Sequence, residues 1–177
     1  MRDTEALETA GRLARLKTPG FIDRLYRDWK LRLERRAIWE TSRADNYRGC
    51  KVGACGLGLC KRPYADFIVW SDACWMPIRS GERRCAEHSI FERMRRGDAW
   101  LVALVVAGPA ESDDETGIDV GWRVPCGKTC QPVVFGELDK FPMDAFILPE
   151  TKLVLIDTDR ANLPFETSIE RMKEYRD

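Results

Sequence analysis

The chain has 177 residues, of which 44% are apolar, with 29 Lys and Arg balanced by 29 Asp and Glu. That length supports one domain with a self-sufficient core, and zero formal net charge removes the simplest argument for a nucleic-acid partner. No apolar run approaches the roughly 18 residues needed to span a bilayer, and the seven cysteines, odd in number, point to reduced thiols or a metal site rather than a disulfide framework.

The amino terminus, MRDTEALETAGRLARL, is charged and lacks the apolar block of a signal peptide, which predicts a cytoplasmic protein. Leu7, Ala10, Leu13 and Leu16 fall at helical spacing and KTPG stops that helix. A longer helix is predicted from about Phe21 to Thr41, with Leu25, Trp29, Leu33 and Ile38 as its buried stripe. The first 50 residues hold 12 basic against 8 acidic residues; a solvated helix face explains that surplus more simply than an anionic partner does.

KVGACGLGLC and ADFIVWSD read as a hairpin joined by KRPY. A helix follows from about Cys85 to Arg96, closed by Gly97, and then AWLVALVVAG, a buried strand. PAESDDETG has the composition of a solvent loop. A short helix is predicted from near Cys126 to about Leu138, then two strands, DAFILPE and KLVLIDTD, and a polar helix from about Thr167. Helices between strands imply some parallel pairing. The predicted architecture is an α/β domain with a mixed sheet of about five strands and helices on both faces.

Three cysteines suggest chemistry. Zinc takes thiolate and imidazole ligands in a tetrahedron, and a catalytic zinc keeps one position open. Cys85, Cys126 and Cys130 supply three sulfurs near helix starts, where exposed amides favour the thiolate. Glu87, two residues after Cys85, is a carboxylate placed to carry a proton. A closed zinc site or unrelated buried thiols would use the same residues. His88, the single histidine, lies about 100° around the helix from Glu87 and reads as structural. Cys55, Cys60 and Cys74 read as buried thiols of the hairpin.

CAE followed about 40 residues later by PCGKTC resembles the zinc-dependent cytidine deaminase family, whose signature is H-x-E then P-C-x-x-C; cysteine for the histidine is the variant of small cytidine and blasticidin S deaminases. CKVGACGLG is similar to that family's first strand. The resemblance implies a three-layer α/β/α fold over residues 37–177, with residues 1–36 as a helical extension. It implies zinc on Cys85, Cys126 and Cys130, Glu87 as the proton shuttle, and Ala86 giving backbone contacts to the base. The implied reaction is hydrolytic deamination of a cytosine-like nucleoside, by zinc-bound hydroxide attack and ammonia release. A homo-oligomer, dimer or tetramer, is implied as well.

Two departures accompany it. The spacing here is P-C-x-x-x-C, which still keeps positions i and i+4 on one helix face. The ribose-holding N-x-E motif is replaced by VWSDACWMPIRSGERRC, where Asp72, Trp70 and Trp75 are the available pocket residues; for the two tryptophans, burial in the core is the commoner fate. Two rival readings therefore stand beside the nucleoside deaminase. One is a deaminase-fold binding or scaffold protein without turnover, and the other is a deaminase of bases in single-stranded nucleic acid.

Overall fold

The computed structural model describes residues 2–45, 51–62, 66–75, 84–109, 125, 130–135, 146–160 and 163–175. Helix α1 (Arg2–Leu16) and helix α2 (Phe21–Thr41) are separated by Gly20, whose φ of 73° is the left-handed conformation that favours glycine. The C-terminal half of α1 is anchored. Leu16 is buried while Leu7 is 74% exposed, and Thr9 and Arg12 hydrogen-bond the carbonyls of Lys61 and Cys60.

Strands β1 (Gly53–Cys60) and β2 (Phe67–Ala73) form the expected hairpin, followed by α3 (Ala86–Arg96), β3 (Ala99–Gly108), α4 (Cys130–Val134), β4 (Ile147–Asp157), β5 (Phe165–Ser168) and α5 (Ile169–Lys173). The sheet order is β2-β1-β3-β4-β5. β3 and β4 are parallel, and the other neighbours are antiparallel. Every residue of β1 and β3 is buried, as strands covered on both faces must be. Ile22, Tyr26, Leu33 and Ala37 of α2 pack with Cys55, Leu57 and Val105 on one face. Ile90, Phe91 and Met94 of α3 pack with Ala54, Leu104 and Val106 on the other, together with α4 and α5 residues. This is a three-layer α/β/α domain with a five-stranded mixed sheet. No helix among the described residues is long and apolar enough to cross a membrane.

The structure corrects several expectations. The buried face of α2 is Ile22, Tyr26, Leu33, Ala37 and Glu40, whereas Ile38 is 44% exposed. The face includes a small residue and a charged one, which a count of large apolar positions passes over. DAFILPE and KLVLIDTD form one strand: pairing with β3 jumps from Leu101↔Ile147 to Ala103↔Lys152, a bulge at the site of Pro149, which has no N–H for the ladder. Thr151 bridges it, donating to the Leu101 carbonyl at 2.7 Å and accepting from the Leu148 amide. The fifth strand is FETS, of which the sequence places only Thr167 and Ser168, in the final helix, and assigns Phe165 and Glu166 to no element. That helix begins only after Ser168, whose hydroxyl caps the Arg171 amide. Trp70 and Trp75 are not core residues, being 40% and 38% exposed.

Candidate metal centre

Cys85 occupies the N-cap of α3 in an extended conformation, and its side chain makes no capping hydrogen bond. Glu87 lies in the first turn of the same helix and is 3% exposed. Cys130 is the first residue of α4 and is fully buried. Although 45 positions apart in the sequence, Cys85 and Cys130 meet because α3 and α4 share one face of the sheet. The two sulfurs and a Glu87 oxygen all lie within 4.8 Å of one another.

Three buried acidic groups in such proximity fit a divalent cation. Ionised together without one, they would repel in a medium that screens poorly. Zn–S bonds of about 2.3 Å in a tetrahedron put two sulfurs about 3.8 Å apart, a separation the cluster's span accommodates. Two thiolates and a borderline-soft ion are also matched in chemistry. The donor set thus fits zinc, with Cys85 and Cys130 as its sulfurs.

Cys126, the remaining expected ligand, lies outside the described residues, as do Cys50, Lys128, Thr129, the 76–83 segment, most of PAESDDETG and the expected ends of the α4 helix. Pro125, which precedes Cys126 in the sequence, is described and buried. The buried Gln131 amide donates to the Pro125 carbonyl at 2.9 Å. That bond ties Pro125 to α4, which carries Cys130. Sequence reasoning missed Gln131; its only signal is a polar side chain in the first turn of an otherwise buried helix.

The remaining expected residues fall in different places. Ala86 is completely buried between Cys85 and Glu87 in the chain. Trp75 pairs with Arg84 in an isolated antiparallel bridge, one residue before Cys85. Trp70 and Asp72 line a groove between α2 and β2, and an Asp72 oxygen accepts from the Ala73 amide. His88 is outside the ligand group and stands 3.7 Å from Glu92, consistent with a structural residue.

Burial pushes the Cys55 thiol up to about 12, with Arg36 acting weakly the other way. Burial also raises Cys60, opposed by Arg12. Both are held as neutral thiols. No disulfide forms among the five described cysteines.

Among solved structures, the chain is similar to the cytidine deaminase from Burkholderia pseudomallei. Identity is 20%, the match covers 79% of this chain and 92% of that one, and the TM-score is 0.52. The cytidine deaminase from Mycobacterium leprae matches at 17% identity over 81% and 95% of the two chains, with a TM-score of 0.49. No protein-family model and no curated protein matches. The first of these likenesses shows the fold. The architecture is cytidine deaminase-like.

Proposed function

We propose that the protein is a zinc-dependent hydrolytic deaminase of a cytosine-like nucleoside, with Glu87 as its proton carrier. The observation that carries the reading is the buried convergence of Cys85, Glu87 and Cys130 at the starts of α3 and α4; the proposal adds Cys126 as the third sulfur ligand. Zinc, when bound there, supplies a Lewis acid that lowers the pKa of water to near neutrality.

The protein's own contribution is proton management and exclusion of solvent. Deamination adds water's oxygen to the amidine carbon and breaks that carbon's bond to the amine, which leaves as ammonia. Glu87 takes a proton from water, delivers it to the ring nitrogen, then carries the second proton to the departing amino group. Its near-complete burial keeps bulk water from competing for those protons. The backbone at Ala86 lines the base between ligand and acid. A homo-oligomer and a cytoplasmic location belong to the same proposal, as does a deaminase-like region of residues 37–177 to which residues 1–36 add a helical extension that shares its core.

The test combines zinc content with ammonia release on cytidine, deoxycytidine and blasticidin S. Wild-type protein purified without added metal is expected to hold near one zinc per chain, and Cys130→Ser to lose most of it. Glu87→Gln should keep zinc and fold while losing at least ~100-fold in rate, the scale of a general acid-base contribution. Fully zinc-loaded wild type that converts none of the panel would favour a binding or scaffold protein instead.

A further inference from the structure

A second feature stands apart from the metal cluster. Arg32, Arg35, Arg36, Trp39 and Arg43 follow one another along α2 and its C-terminal turn at i, i+3, i+4, i+7 and i+11. That spacing makes a single stripe on a helix. The stripe faces β2, the edge strand of the sheet, across a groove of about 1170 Å³ whose other wall includes Trp70 and Asp72. Trp39 is 48% exposed and Trp70 40%. The guanidinium of Arg36 stands 4.5 Å from the Trp39 ring centre and that of Arg43 4.9 Å. Trp70 alternates with Val69 and Ser71 along the edge strand, so its ring turns over the β2 edge toward α3, where Arg93 stands 4.8 Å from it.

The charges in the groove are unequal. Glu40 is buried at its floor and is already committed, accepting from Ser71 at 2.7 Å and from Arg43 at 2.9 Å, with Arg36 at 3.4 Å. Arg32 and Arg35 are exposed, and neither has a carboxylate within ion-pair distance among the described residues. Four arginines against two carboxylates in one groove is a local excess in a chain of zero net charge.

We infer that this groove binds single-stranded nucleic acid, with phosphates on the arginine stripe and bases reaching over the exposed β2 edge to stack on Trp70 and the guanidinium planes. Arg32 to Arg43 spans about 16 Å of helix at 1.5 Å per residue, a length suited to successive phosphates rather than a single anionic group. Exposed rings beside cations are what unpaired bases use, since every base offers a π-face. A duplex keeps its bases stacked inside, out of reach of Trp70. A second copy docked symmetrically on this groove would bring the two arginine stripes together, which their repulsion opposes. This inference does not depend on the metal site, and its test reads binding alone.

The experiment measures fluorescence anisotropy of a labelled 12-nucleotide single strand across a salt series, with a duplex of equal length, a mononucleotide and a heparin fragment as competitors. Three to four phosphate contacts predict a log affinity against log salt slope of about −2 to −3. Arg32→Glu/Arg35→Glu should bind at least ~10-fold more weakly at low salt and flatten that slope by about 1.4, two contacts' worth. Trp70→Ala should weaken the single strand by about 5- to 100-fold without changing heparin binding. Circular dichroism checks each fold, and the single Arg35→Glu variant replaces the double one if that fails to fold. Unchanged binding in the arginine variants would overturn the inference. So would equal affinity for the duplex, equal Trp70→Ala effects on heparin, or a wild-type dimer that the arginine variants dissociate.

Discussion

Replacing Gly53 with alanine tests how closely helix α2 is seated on the sheet. A Cβ at position 53 would overlap the Ala37 carbonyl oxygen and lie 2.7 Å from the Thr41 nitrogen and 2.8 Å from Glu40 Cβ. Two of those three atoms are helix backbone, so relief requires moving the last turns of α2 rather than turning one side chain. Overpacking of this kind costs about 1–3 kcal/mol, and a rigid obstacle puts Gly53→Ala at the upper end. Alanine's gain over glycine in a strand, about 0.5–1 kcal/mol, offsets only part. A net loss of about 2 kcal/mol corresponds to a melting point about 4–8 °C lower for a domain of this size. Gly58→Ala is the control, because its Cβ meets the Met94 sulfur, the flexible end of an adaptable side chain, and its gain and cost should nearly cancel. Thermal denaturation followed by circular dichroism, at equal zinc content, compares the two. If Gly53→Ala melts no lower than Gly58→Ala, the close seating of α2 on β1 is wrong.

Gln131→Ala removes the donor to the Pro125 carbonyl and should weaken zinc binding about 10- to 100-fold, the usual effect of losing a group that orients ligands; competition with a chelator measures it, with the melting point of metal-free protein as the control for a merely structural role. Glu166 is raised by burial, but its bonds and charges with Lys30 and Lys152 outweigh that and hold it below the ordinary 4.5. A depressed carboxylate stabilises the fold above its unfolded pKa and loses that contribution as pH falls through the folded one, so Glu166→Gln should flatten the acid limb of melting temperature against pH below about 5, and an unchanged limb would remove this ion pair from the account. Deleting residues 1–36 removes the buried Leu16, Ile22, Tyr26 and Leu33, about 6–12 kcal/mol of burial against a typical total stability of 5–15. The truncated chain should show no cooperative melting transition, whereas deletion of residues 1–15 should leave one.

Much of the layer order was legible because it rests on local patterns. α2 has the predicted bounds, Phe21–Thr41, since KTPG starts it and its helical spacing is long. AWLVALVVAG is the expected central strand to the residue. The failures lie where tertiary context decides. Pro149 looks like a break between two strands, yet Thr151, fixed by a carbonyl 50 positions away, carries the strand through. FETS has no apolar alternation and becomes a strand only because Leu153 and Val154 offer it an edge. The metal cluster was legible in part: Cys85 and Glu87 are local to one helix start, while Gln131 acts through a carbonyl six positions back and leaves no motif.

The arginine groove was hidden from composition for a different reason. A net charge of zero sums over the whole chain, whereas a ligand meets only the charges on one face. The acidic residues that cancel the α2 arginines are dispersed, and the nearest, Glu40, is turned inward beneath them. Its burial makes the carboxylate an anchor for Arg36, Arg43 and Ser71 instead of a repelling charge at the surface. The same side chain therefore has two effects on one helix. It completes the buried face that seats α2 on the sheet, and it orders two cations along the α2 wall of the groove. Glu40→Gln separates these effects: weaker ion pairing lowers stability, while the loss of a negative charge strengthens the groove's attraction for an anion.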